Sequence, residues 1–127
     1  MSTASQTAIS VDAPGKVNLY LAVGDVRPDG YHPLTTLFAA VSLTETITVS
    51  EGAAPGLSLS MDIVPGSLVD QQMQAGQFDP AAVPMDERNL VYRAAALILA
   101  EHGIESVPAL HLHIAKAVPV AGGMAGG

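Results

Sequence analysis

Ala13-Pro14-Gly15-Lys16-Val17-Asn18-Leu19-Tyr20-Leu21, followed by Arg27-Pro28-Asp29-Gly30-Tyr31-His32, is the stretch on which the reading of this chain turns. From Lys16 to Val23 apolar and polar residues alternate. Val17, Leu19 and Leu21 fall on one face, Asn18 and Tyr20 on the other, as a half-buried strand requires. Pro28-Asp29-Gly30 then signals a turn: proline presets φ and glycine accepts a positive one. An aromatic ring and an imidazole follow the turn directly.

Upstream, Thr7 to Val11 is β-prone. Downstream, Leu34 to Leu43 reads as a buried strand, Thr46 to Ser50 and Leu57 to Met61 alternate, and Gly52 to Gly56 separates the last two. The first half is therefore expected to be an antiparallel sheet with one wet face. Pro65 to Pro84 mixes Gly, Pro, Gln and acidic residues and predicts an irregular excursion with one short helix. Leu90, Ala94, Leu97, Ile98 and Glu101 follow helical spacing, with Asn89 as the N-cap and Gly103 as the stop. Leu110 to Ile114 alternates as a strand, Lys116 closes it, and a glycine-rich segment follows. The expected fold class is α+β, an antiparallel sheet with a helix packed on one face.

Composition narrows the function. The chain has 127 residues, 49% hydrophobic and only 13% charged, which is the balance of one folded domain. Five basic against twelve acidic residues give a net charge of −7, which lacks the footprint of a nucleic-acid binder. One anionic small molecule is still compatible, because a few local donors outweigh a distant net charge. With no cysteine, thiolate metal sites, disulfides and a cysteine nucleophile are excluded. No apolar run approaches the roughly 20 residues of a membrane helix. No signal-peptide pattern opens the chain, so a cytoplasmic protein without membrane partners is expected. Oligomeric state leaves no trace in the sequence.

Several residues stand out, each with an ordinary alternative. Gly122, Gly123, Gly126 and Gly127 lack Cβ, so backbone N–H groups could converge on a phosphate there; a glycine-rich tail is the plain reading. Gly122 and Gly127 also have the G-x-x-x-x-G spacing of a P-loop, whose deciding Lys-Ser/Thr pair would fall beyond Gly127. Lys16 and Lys116 read by themselves as solvated charges at strand ends, and Asn89 as a helix cap. His111 and His113 share a strand face, but without a third ligand nearby in sequence they do not make a metal site.

The Pro14-Gly15-Lys16-Val17-Asn18 opening, the Asp29-Gly30-Tyr31-His32 string and the Pro119-Val120-Ala121-Gly122-Gly123 lead-in together resemble the GHMP small-molecule kinase superfamily. Asp-Gly-Tyr-His is similar to the branch acting on 4-diphosphocytidyl-2-C-methyl-D-erythritol, in non-mevalonate isoprenoid precursor synthesis. The Gly-Gly-Met-Ala-Gly-Gly form resembles actinobacterial members. The resemblance covers Ala13 to Leu43, Asp86 to Leu99 and Ile114 to Gly127; Ala53 to Pro84 aligns with no motif.

The resemblance implies that residues 1–127 are an incomplete N-terminal ATP-binding domain, with the rest of that domain and a C-terminal domain downstream. It implies ATP-dependent phosphorylation of the substrate's 2-hydroxyl, with ATP and Mg²⁺ and a cytidine-containing diphosphate as partner. Lys16 matches the active-site lysine. Asn18, Tyr31 and His32 match substrate-binding positions, the tyrosine stacking on cytosine and the histidine hydrogen-bonding it. Asn89, Lys116, Pro119, Gly122, Gly123, Gly126 and Gly127 match ATP-binding positions. No residue here matches the family's aspartate base, so the 127 residues alone are expected to be inactive. The alternative is a non-catalytic nucleotide-binding or interaction module of the same fold, or another GHMP kinase.

Overall fold

The computed structural model describes residues 7–120. Its four strands are β1 (Ile9–Val23), β2 (Leu34–Glu51), β3 (Gly56–Ile63) and β4 (Ala109–Lys116). Two helices, α1 (Leu68–Gln74) and α2 (Leu90–Glu101), and a 3-10 turn at Pro80–Ala82 lie between β3 and β4. The α+β class is as expected, with one correction to the sheet. Its order is β1-β2-β4-β3, and β3 pairs with β4 in parallel while the other pairs are antiparallel. A parallel partner requires a crossover connection, which the α1–α2 region supplies.

The period-2 alternation of four segments becomes two continuous faces. Register aligns Ile9, Val49, Leu112 and Leu59 in one row and Val11, Ile47, Ile114 and Met61 in the next. On the opposite face stand Ser10, Thr48, His113 and Ser60, then Asp12, Thr46, Ala115 and Asp62. The polar face is laced across strands: Ser10 and Thr48 share a hydrogen bond of 2.8 Å, and the Thr46 hydroxyl donates to Asp12 at 2.7 Å. His111 and His113 belong to this lacing. Ser60 Oγ lies 2.7 Å from His111 Nε2 and 2.6 Å from His113 Nδ1. These rings bond to serines, and the described residues contain no cluster of three metal-ligating side chains.

The buried apolar core is small: Val69 of α1, Leu112 and Ile114 of β4, then Ala117 and Val118 just after it. α2 lies alongside β3, but Leu90, Leu97 and Ile98 stay more than half exposed. The apolar stripe read from its spacing is present and largely uncovered among the described residues. α2 starts and stops where the sequence places it. Asn89 is the N-cap, its Oδ1 accepting from Val91 N at 2.9 Å, and Gly103 takes a φ of 69° just past the end.

Strands β1 and β2 each run through a break expected from sequence, Pro14-Gly15 in one and Thr44-Glu45 in the other. Together they form a long hairpin arm. Two register shifts interrupt it, between Pro14 and Lys16 and between Asn18 and Tyr20. A bulge re-aims the side chains next to it, and these two bracket Lys16 and Asn18.

Candidate active site

The sequence-predicted residues fall into three places. The first is the hairpin arm. Lys16 Nζ donates to Asn18 Oδ1 at 2.8 Å and sits 5.3 Å from the centroid of the Phe38 ring. Asn18 Nδ2 donates to Thr36 Oγ1 at 2.9 Å, and that hydroxyl donates onward to the Tyr20 carbonyl at 3.0 Å. The two bulges and the cross-strand Asn18–Phe38 pairing thus fix an ammonium over an aromatic face and a strand-borne amide. An ammonium has three donors, and one of them is engaged by Asn18.

The second place is the loop joining β1 to β2. Gly24 N donates to Pro33 O at 2.7 Å and closes its neck. Gly30, at φ 86°, completes a turn by donating its N–H to Arg27 O, and Asp29 Oδ1 accepts from Tyr31 N at 3.0 Å. This short-range bonding presents Tyr31 to solvent, 70% exposed. His32 Nδ1 lies 2.8 Å from the Gly24 carbonyl. A carbonyl only accepts, so Nδ1 carries the proton, and in the neutral ring Nε2 is left as an acceptor.

The third is a cleft of about 230 Å³ whose lining includes Glu45, Met61, Pro84, Arg88, Asn89, Lys116 and Val120. It brings Asn89 and Lys116 together at the point where the chain enters the glycine-rich segment. Pro119 lies in that approach, two residues after the buried Ala117. Gly122, Gly123, Gly126 and Gly127 lie outside the described residues.

Lys116 is not the solvated strand-end charge that its position alone suggests. It is 3% exposed, and its Nζ donates to Glu45 Oε1 at 2.7 Å; Glu45 is 6% exposed. Arg88 is also paired, donating through Nε and Nη2 to Asp86. Its hydrogen bonds hold the Asp86 carboxyl down at about 2. Each cation lining the cleft therefore faces a carboxylate, and the cleft is close to neutral. Such a lining suits the uncharged end of a ligand better than a phosphate.

Glu45 was missed from sequence, although a signal was there. In Glu45-Thr46-Ile47-Thr48-Val49 it shares the parity of Ile47 and Val49. Lys116 shares that of Leu112 and Ile114. Two charges on the apolar side of neighbouring strands are expected to pair.

Asn89 carries the cleft wall structurally. Besides capping α2 it donates Nδ2 to the Pro84 carbonyl at 2.8 Å while buried. Asn89→Ala removes the cap and orphans that carbonyl, so it should cost roughly 1–3 kcal/mol in urea unfolding. Asn89→Asp keeps the cap acceptor but turns a carboxylate oxygen, in place of the Nδ2 donor, towards the buried Pro84 carbonyl, so it should be destabilising as well.

No family model matches the chain. Curated relatives do. The chain is 47% identical over 119 residues to 4-diphosphocytidyl-2-C-methyl-D-erythritol kinase of Paenarthrobacter aurescens, covering 94% of this chain and 34% of that one. For the enzyme of the same name from Mycobacterium avium the identity is 49% over 120 residues, covering 94% and 32%. For that of Thermobifida fusca it is 47% over 121 residues, covering 95% and 36%. A crystal structure of 4-(cytidine 5'-diphospho)-2C-methyl-D-erythritol kinase superposes with a TM-score of 0.57 at 32% identity, covering 87% of this chain and 32% of that one. The chain is thus similar, over nearly all its length, to the N-terminal part of these kinases, and spans about a third of theirs.

Proposed function

We propose that this chain supplies the substrate arm and part of the ATP site of a kinase that phosphorylates the 2-hydroxyl of 4-diphosphocytidyl-2-C-methyl-D-erythritol, in isoprenoid precursor synthesis in the cytoplasm. Residues 1–127 correspond in this reading to the first part of an N-terminal ATP-binding domain, and the base that takes the hydroxyl proton comes from outside them. The observation that carries the reading is the Lys16–Asn18 hydrogen bond of 2.8 Å on the bulged strand. It occurs in a chain similar to these kinases over 94% of its length.

The chemistry follows from the residues. Phosphoryl transfer asks the protein mainly for positioning and charge stabilisation. Lys16, oriented by Asn18 and Phe38, directs its free N–H groups at the phosphoryl oxygens as charge moves across them. Tyr31 offers an exposed face for a base to stack on. His32, with Nδ1–H held by Gly24 O, offers Nε2 to an exocyclic amine of the kind cytosine carries. Asn89 and Lys116 line the cleft assigned to the neutral end of ATP, Pro119 follows Lys116 closely in sequence, and Gly122, Gly123, Gly126 and Gly127 are the positions assigned to its phosphates. Mg²⁺ arrives with the nucleotide as part of the substrate.

Calorimetric titration tests the reading. The product of the complete reading frame should bind a non-hydrolysable ATP analogue and the cytidine substrate at separate sites, each still binding when the other is saturated. Competition between them, or failure to bind either, would remove the reading. The 127 residues by themselves should release no ADP above background.

A further inference from the structure

Among the described residues Glu45 is the one carboxylate lining the cleft, and a single oxygen of it holds two groups. Oε1 accepts from Lys116 Nζ at 2.7 Å and from the backbone N–H of Val118 at 3.2 Å. The Lys116 carbonyl is pinned separately by Val64 N at 2.9 Å, just beyond β3. One side chain of β2 thereby ties down the cation at the end of β4 and the backbone two residues before Val120, where the glycine-rich segment is entered.

A buried ion pair is an expensive way to fill an apolar row, because a well-packed apolar pair is as stable or more so. Stability alone does not account for Glu45 and Lys116. We infer that Glu45 is a positioning residue of the nucleotide site: it holds Lys116 in the cleft wall and fixes the backbone at Val118, between Lys116 and Val120 of the same wall. This rests on the nucleotide reading of the cleft. Glu45 acts through Lys116 and Val118, and does not itself touch the reacting atoms.

The test uses the complete reading-frame product and two variants. Glu45→Gln keeps an oxygen for Val118 N but loses the charge that holds Lys116. Glu45→Met/Lys116→Met replaces the pair with two apolar chains of similar length, and should melt no lower than wild type. Calorimetry with a non-hydrolysable ATP analogue should show Glu45→Gln weakened roughly tenfold, the scale of one charge-assisted hydrogen bond. The double variant should be weaker still. Affinity for the cytidine substrate should change less than about twofold in both, a split that general loosening of the fold would not produce. Wild-type affinity for the analogue in a folded double variant overturns the inference and leaves the nucleotide reading standing. So does equal loss of both ligands. A double variant that cannot fold assigns the pair to the fold itself, and also overturns it. Wild-type protein that does not bind the analogue removes the nucleotide reading, and the inference with it.

Discussion

Lys16→Ala, in the complete reading-frame product, is expected to lower kcat on the order of 10²–10³-fold while leaving affinity for the cytidine substrate nearly unchanged. The reason is where the ammonium sits. It is bonded to Asn18 and lies over the Phe38 ring, both on the bulged segment of the arm, away from the loop that carries Tyr31. On the proposed reading, what alanine removes is a positive charge next to the transferring phosphoryl group, a contact that matters more in the transition state than in the bound ground state. Asn18 loses its partner, but the pair is exposed and water replaces the bond. The fold should therefore survive, which circular dichroism can check. Lys16→Arg should restore little, because a planar, delocalised guanidinium keeps the aromatic contact but does not reproduce the compact point charge of an ammonium. Steady-state kinetics with the cytidine substrate decide the matter. An unchanged kcat in a folded Lys16→Ala protein would return Lys16 to an ordinary strand-edge charge.

Tyr31→Ala is expected to weaken the cytidine substrate by roughly 1–3 kcal/mol, the scale of base–aromatic stacking. The structure makes this a clean substitution. Tyr31 is 70% exposed, so it contributes little to folding, and the turn beneath it is held by Gly30 and Asp29. ATP-analogue affinity should barely move, since the cleft lined by Asn89 and Lys116 is a separate place. Tyr31→Phe should be nearly silent, because stacking needs the ring and not the hydroxyl. Normal cytidine binding by Tyr31→Ala would show that the base pocket lies elsewhere.

Local signals in this sequence translated well. The Asn89 cap, the stop at Gly103 and the turn at Gly30 are each made by bonds within a few residues, so a local reading suffices. Alternation placed the faces correctly where the four strands lie side by side, but not along the hairpin arm. The shift between Asn18 and Tyr20 breaks the parity of Leu19 with Val17. Leu19, Leu21, Leu34, Leu37 and Phe38, expected on a half-buried and a buried strand, are more than half exposed. Nor could alternation give the direction of the β3–β4 pair, because it fixes which face a side chain takes and is silent on its partner strand. The helical excursion between the two strands carried that information, since only a crossover leaves strands parallel. In sequence, Thr7 to Val11 and Lys16 to Val23 are two separate β-prone segments, and proline, which lacks a ladder donor, lies between them. The arm absorbs it at a register shift instead, and that shift sits next to Lys16.

The candidate site was legible residue by residue and not as an arrangement. Lys16 and Asn18, two apart on a strand, could be paired from spacing. Glu45 and Lys116 could not, being 71 residues apart and joined only when β2 and β4 come side by side. Their shared parity with the apolar residues was the available clue. It separates a buried pair from a surface charge only once the two strands are known to be neighbours.

The central claim is a transfer of one phosphoryl group to one hydroxyl, and product identification tests it most directly. The complete reading-frame product, given MgATP and 4-diphosphocytidyl-2-C-methyl-D-erythritol, should release one ADP per product formed. Phosphorus NMR should place the new phosphate on the 2-hydroxyl. Mevalonate, homoserine and galactose should give no ADP above background. Phosphorylation of one of those alcohols in place of the cytidine compound, or no transfer at all from a protein that binds both ligands, would contradict the account.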